Sequence, residues 1–229
     1  MDTGFNKELY DFLSGFLTEN RKQLFEKIIQ FRTRHLTVVL EDIYQSHNAS
    51  AVLRSADITG IQDVHIIENR NTYHVNPQVA MGSSKWLNLI HYNEQTDNTI
   101  AAYEALRTKG YKIIAATPHS GGKALEEMPL DDKLAIVFGT ELNGLSQTAI
   151  DNADEYLWIP MYGFTESYNI SVSVALVLFT LTEKLRKSDI RWQLTEDEKQ
   201  KIMLEWTKRS VARSDVFERE FFQRKNNPT

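Results

Sequence analysis

The sequence contains no cysteine. Disulfides, thiolate nucleophiles and cysteine-bound metals are therefore excluded, and a cytoplasmic protein is expected. No apolar run approaches the roughly 20 residues that a membrane-spanning helix needs. The opening Met1-Asp-Thr-Gly-Phe-Asn-Lys7 has no apolar core of a signal peptide, so no secretory leader is expected. No G-x-G-x-x-G follows the first strand-like segment and no P-loop occurs, which argues against a nucleotide-binding hydrolase or oxidoreductase. The six histidines are scattered, and Asp42 and His47 lack ligand spacing, so no metal is expected. Repeats and low-complexity tracts are missing as well.

An excess of positive charge is also lacking, since the net charge is −5. Its distribution is uneven. Residues 1–36 carry six Lys/Arg against five Asp/Glu, and residues 184–229 carry twelve against eight, whereas residues 37–183 carry eight against eighteen. An acidic middle repels polyanions, so any nucleic-acid affinity must come from local patches and the flanks. Cations on solvated helix faces are the commoner meaning of such flanks, and the asymmetry alone is weak support for binding.

What is present is a regular alternation of strand-like and helix-like segments. The strand-like runs are Leu36–Leu40, Val64–Ile67, Leu87–His91, Tyr111–Ala116, Leu134–Phe138 and Tyr156–Ile159. Helical patterns fall at Ala49–Ile58, Thr99–Thr108 and Ile170–Lys187, with a short one near Ser146–Asn152. This order predicts an α/β fold, a mainly parallel sheet covered by helices. At 229 residues the chain can bury one sizeable core with a small appendage. Residues 5–35 read as helical through Leu9, Leu13 and Phe16, then Leu24, Ile28 and Phe31. Thr195-Glu-Asp-Glu198 is a capping box that opens an amphipathic helix carrying Ile202, Trp206 and Val211.

Three segments carry chemistry. In Ile159-Pro160-Met161-Tyr162-Gly163-Phe164-Thr165-Glu166-Ser167-Tyr168-Asn169-Ile170-Ser171 a strand is stopped by proline and handed over to an apolar helix. A serine or asparagine there most often caps the helix, but Ser167, Asn169 and Ser171 are more than one cap needs. In Leu134-Ala-Ile-Val-Phe138-Gly139-Thr140-Glu141-Leu142-Asn143-Gly144 a buried strand ends at a glycine, where a ligand can approach the backbone. Glu141 lies just past that strand end, the usual place for binding groups in an open α/β sheet. Alone it would read as a solvated loop carboxylate. In the third segment, His47 or Asn48 starts a helix after the first strand, Arg54 lies six residues beyond Asn48, and Gly60 ends it. A lone arginine there would read as solvated.

Together and in this order, the segments resemble the three motifs of the SpoU-type RNA 2′-O-ribose methyltransferases of the SPOUT class. The matching residues are Asn48 with Arg54, Gly139-Thr-Glu141 with Gly144, and Ile159-Pro-Met161 with Ser167-Tyr-Asn169-Ile-Ser171. The resemblance covers residues 34 to 187. It implies helices on both faces of the sheet, a C-terminal deep trefoil knot, and S-adenosylmethionine as cofactor. The flanking extensions and the Leu-Thr-Glu-Asp-Glu stretch resemble the TrmH branch, tRNA (guanosine-2′-O)-methyltransferases acting on the D-loop. That divides the chain into a helical extension 1–35, a methyltransferase domain 36–187 and a second extension 188–229. Other targets for the same chemistry are ribosomal RNA and the tRNA wobble nucleotide, and a catalytically inactive RNA-binding module is a further reading.

The resemblance implies catalytic roles for Arg54, Asn48, Glu141, Ser167 and Asn169. It places Thr117, Gly139, Ile159, Met161, Tyr168 and Asn169 against the cofactor. Arg21, Arg32, Arg34, His47, Arg54, Lys187 and Arg209 are the expected RNA contacts. The family also implies a homodimer, consistent with apolar Val172, Val174, Leu176, Val177, Phe179 and Leu181 on more than one face of a single helix.

Overall fold

The structure is a computed structural model that describes residues 3–74, 80–118, 121–140 and 143–226. Seven strands, β1 (Leu36–Glu41), β2 (Asp63–Ile67), β3 (Asn88–Tyr92), β4 (Tyr111–Ala116), β5 (Lys123–Ala124), β6 (Lys133–Phe138) and β7 (Glu155–Trp158), form one sheet in the order β3-β2-β1-β6-β4-β7-β5. Every pairing is parallel. β1 and β2 are buried along their whole length, as central strands of a sheet covered on both faces are.

The faces separate by residue parity. Leu36, Val38 and Leu40 of β1 and Leu134, Ile136 and Phe138 of β6 pack with helix α3 (Ser46–Ile58) and with the long apolar helix α6 (Ile170–Arg186). Val39, Ile67, Ile113, Ala135 and Val137 face the opposite way, onto Tyr103 and Leu106 of α4 (Asn98–Thr108) and Ala149 of α5 (Gln147–Asp151). β6 enters between β1 and β4, both formed earlier in the chain, and β7 lies on the far side of β4. The ends of β4, β6 and β7 therefore stand side by side.

The chain divides into two compact units. Thr33–Trp192 contains the sheet, while Met1–Arg32 and Gln193–Thr229 make a helical unit. That unit holds α1 (Thr3–Ser14), α2 (Glu19–Ile29), α7 (Glu196–Ser210) and α8 (Ser214–Asn226). Leu9 and Leu13 of α1 pack on Leu204 of α7. The capping box is present: the Thr195 hydroxyl accepts from the Glu198 amide at 3.3 Å, and Glu198 accepts from the Thr195 amide at 2.8 Å. Two expectations shift. α2 buries Phe25 and Ile29 rather than Leu24 and Phe31, so its inward stripe lies one residue away from the expected one. β5, with two residues, is too short for a periodic signal, and α8 has no strongly one-sided pattern to announce it.

One core group sets a pH dependence. His65 of β2 is buried, its Nδ1 lies 2.9 Å from the Tyr92 hydroxyl, and its Nε2 has no partner among the described residues. Burial, reinforced by Lys109, lowers its pKa from 6.5 to about 4. The unfolded chain binds this proton more readily than the folded one, so the contribution is complete above pH 6.5 and is lost as pH falls toward 4. The loss amounts to about 3 kcal/mol. Denaturant titrations from about pH 7 to 4 should show a steeper fall in stability for the wild type than for His65→Phe. Equal slopes would remove His65 as the source.

Candidate active site

The carboxyl ends of β4, β6 and β7 border a cavity of about 320 Å³. A cavity here follows from the topology, because strands and helices diverge where an open parallel sheet meets its loops. Thr117 and Pro118 continue β4, Gly139 and Thr140 continue β6, and Ile159 and Met161 continue β7, all lining the cavity. Ser167 and Tyr168 close another side, with Ile170 and Ser173 from the first turn of α6. Thus Thr117, Gly139, Ile159, Met161, Ser167 and Tyr168, separated by up to 51 positions in sequence, converge on one space.

Gly139 is required by geometry. A Cβ placed on it would overlap the backbone carbon and oxygen of Gly144 and the amide nitrogen of Leu145. Thr140 and Gly144 exchange backbone hydrogen bonds, Thr140 N–H to Gly144 oxygen at 2.9 Å and the reverse at 3.0 Å. Gly144 has φ +66, in the left-handed region, and closes this loop. Glu141, between them, lies outside the described residues.

Asn169 is the N-cap of α6. Its Oδ1 accepts from the Ser171 amide at 2.9 Å and the Ser171 hydroxyl at 2.6 Å. Its Nδ2 donates to Asn48 Oδ1 at 3.3 Å, and Asn48 donates in turn to Gln45 Oε1 at 3.1 Å. Asn169 is not among the residues that line the cavity, and its side chain links the starts of α6 and α3. The capping reading of Asn169 therefore holds. Asn48 is buried in that link. Arg54, two turns along α3, is exposed and makes no hydrogen bond or ion pair among the described residues.

The expected RNA contacts divide. Arg21, His47, Lys187 and Arg209 are exposed. Arg32 is buried at 2 % exposure with its guanidinium over the Trp206 ring, 5.3 Å from the centroid. A cation stacked in a core is not available to phosphate, so that expectation is corrected. Arg34 is spoken for as well: its Nε lies 2.8 Å from Asp63 Oδ2. Two residues given no role in the sequence join the site: Thr140 and Asn143 line the cavity. Outside the lining, Arg70 is exposed on a loop after β2, without a side-chain partner among the described residues. Asn143 could have been found from its place between Glu141 and Gly144, whereas an isolated loop arginine carries no such signal.

Residues 35–179 match the SpoU rRNA Methylase family. The chain belongs to that family. Among its SpoU relatives, a tRNA (guanosine(18)-2′-O)-methyltransferase of Borreliella burgdorferi is 45% identical over 206 residues, 90% of this chain and 93% of the relative. The crystal structure of the A. aeolicus TrmH/SpoU tRNA modifying enzyme superposes with a TM-score of 0.76 at 25% identity, covering 85% of this chain and 98% of the other. The SpoU methyltransferase AviRb of Streptomyces viridochromogenes, solved in complex with AdoMet, shares the fold with a TM-score of 0.59 at 20% identity over 71% of this chain and 65% of its own. Membership in the SpoU family makes the cavity at the ends of β4, β6 and β7 the candidate active site. Among the described residues no group of three His, Asp or Glu could hold a metal, and no helix is long and apolar enough to cross a membrane.

Proposed function

We propose that the chain transfers a methyl group from S-adenosylmethionine to the ribose 2′-hydroxyl of guanosine 18 in the D-loop of tRNA. The 45% identity to the Borreliella burgdorferi enzyme of that name carries the reading, because it runs over 90% of the chain rather than the shared core alone. In this reading 36–187 is the methyltransferase domain. The extensions 1–35 and 188–229, whose helices fold together, contribute tRNA contacts through Arg21 and Arg209. A cytoplasmic location follows from such a substrate.

The residues present suit the cofactor. The cavity has apolar walls from Leu145, Ile159 and Met161 for an adenine ring, and polar groups on Thr117, Thr140, Asn143 and Ser167 for its substituents. Gly139 lets the two sides of the cavity loop close on each other, and Gly144 supplies the left-handed turn. S-adenosylmethionine supplies an electrophilic methyl group, so the protein needs to supply orientation and electrostatics. Arg54 holds the RNA side. A guanidinium keeps its proton, with a pKa above ~12, so Arg54 stabilises charge developing on the 2′-oxygen and clamps the neighbouring phosphate rather than acting as a base. With no ion-pair partner among the described residues, it has its donors free for this task. Asn48 and Asn169 fix the helix that carries Arg54 relative to the helix that closes the cavity. Ser167, at the cavity edge, and Glu141 complete the methyl end.

The homodimer belongs to the same reading. Val172, Leu176 and Phe179 form an exposed apolar stripe on α6 at helical spacing, while Val174, Val177, Leu178 and Leu181 of the same helix are buried in the chain's own core. Phe179 is 63% exposed, which a second copy would cover. Sedimentation velocity should give twice the 26.5 kDa chain mass, and Phe179→Lys should shift the protein toward monomer. A wild-type monomer at micromolar concentration would contradict this.

The activity is tested with an unmodified tRNA transcript and S-adenosylmethionine carrying a labelled methyl. One methyl per tRNA should be incorporated, and 2′-deoxyguanosine at position 18 should abolish incorporation. Labelling that persists on the deoxy substrate would overturn the assignment of target atom.

A further inference from the structure

Two adjacent carboxylates, Glu41 and Asp42, stand at the carboxyl end of β1, outside the cavity lining. Glu41 is 1% exposed and faces α4 and α5. Its Oε1 accepts from the hydroxyls of Thr99 and Ser146, both at 2.7 Å, and its Oε2 accepts from the Ser146 amide at 2.8 Å. A buried carboxylate held by hydroxyls and one backbone N–H, with no ion pair among the described residues, is a costly choice for packing alone. What it fixes is the stem of the cavity loop. Ser146 caps α5, accepting from the Ala149 amide at 3.0 Å, and stands two residues after Gly144.

Asp42 turns the other way. It has φ 55, and its Oδ1 accepts from the amides of Asn69 and Arg70, both at 2.8 Å, and of Asn71 at 3.3 Å. The Asn71 side chain donates back to the Asp42 carbonyl at 2.8 Å. These bonds gather the loop after β2 into one shape, with Arg70, Thr72 and His74 exposed and Tyr73 buried. The Tyr73 hydroxyl reaches the Ala49 carbonyl of α3 at 3.3 Å, one residue from Asn48.

We infer that Glu41 and Asp42 are positioning residues that divide the site between them: Glu41 holds Ser146 and with it the end of the cofactor loop at Gly144 and Leu145, and Asp42 holds the loop, tied to α3 through Tyr73, that presents Arg70 to RNA. The inference rests on the proposed function and assigns each half of it to one side chain. Both oxygens of Glu41 accept, so glutamine sets an NH2 against one of its donors, whereas Asp42 accepts the three amides through Oδ1 alone and asparagine keeps that acceptor; a loosened loop weakens only the ligand that loop meets.

The test measures KM for S-adenosylmethionine and for tRNA separately. Glu41→Gln should raise the first about tenfold and leave the second within about twofold. Ser146→Ala, which keeps the carboxylate and removes one hydroxyl donor, should raise the same constant several-fold and serves if Glu41→Gln does not fold. Asp42→Ala should raise KM for tRNA about tenfold with little change for the cofactor, as should Arg70→Ala. Asp42→Asn keeps both an acceptor and tolerance of positive φ, so it should restore most of the loss. Variants that move both constants together, or move neither, would overturn the division of roles. An unaltered chain that binds no S-adenosylmethionine would overturn the proposed function instead.

Discussion

Replacing Arg54 with alanine should slow methyl transfer at least about a hundredfold and leave the affinity for S-adenosylmethionine nearly unchanged. The separation is expected because Arg54 is exposed on α3, does not line the cavity, and has no ion-pair partner among the described residues. No described contact in the fold depends on its charge, so thermal stability should move little. Loss of one charge-assisted contact made in the transition state is worth about 2–4 kcal/mol, which sets the size of the rate effect. Arg54→Lys should restore little, since one ammonium cannot engage phosphate and ribose as a planar fork does. Single-turnover rates at saturating tRNA, together with calorimetric titration of the cofactor, decide the matter. Near-normal turnover would remove Arg54 from the chemistry, and loss of cofactor affinity would place it on the wrong side of the site.

The second large effect belongs to Gly139. Gly139→Ala puts a Cβ into the backbone of Gly144 and Leu145, neither of which can move without opening the Thr140–Gly144 bridge. Affinity for S-adenosylmethionine should fall by at least about a hundredfold, roughly 2.7 kcal/mol. Gly144→Ala is the instructive control. Its new Cβ meets nothing within 4 Å, and only the left-handed φ opposes it. That costs about 1–2 kcal/mol, so its effect on affinity should be roughly thirtyfold at most. The two glycines are needed for different reasons, close approach in one and backbone angle in the other. Calorimetry on both variants separates them, and equal losses would show that the loop responds to any added side chain.

Much of this was legible in the sequence because the signals are local. The apolar runs at Leu36 and Leu134 mark strands buried on both faces, and the Pro160 stop and the apolar run after Asn169 mark the turn into α6. Local signals also located the cavity loops, since Gly139 and Ile159 each follow a strand end. What the sequence did not reveal depends on partners distant along the chain. Arg32 looks like any flanking cation until Trp206, 174 positions later, is found beneath its guanidinium. Nothing local to Asn169 shows that its Nδ2 reaches Asn48, 121 positions earlier. Glu41 and Asp42 carry no motif at all, and their meaning appears only with Ser146 and the loop after β2 in place. Even within α2, the inward stripe was misplaced by one residue, because Leu24, Phe25, Ile28 and Ile29 offer two adjacent faces of similar apolarity.

The central claim is the target: one ribose oxygen, on guanosine 18 of tRNA. Ribose methylation mapped by resistance to alkaline cleavage, in RNA from cells lacking this chain, tests it most directly. The account predicts that tRNA loses protection at the bond following guanosine 18, that wild-type chain restores it, and that the Arg54→Ala variant does not. Protection retained at guanosine 18, with loss instead at the wobble nucleotide or in ribosomal RNA, would contradict it.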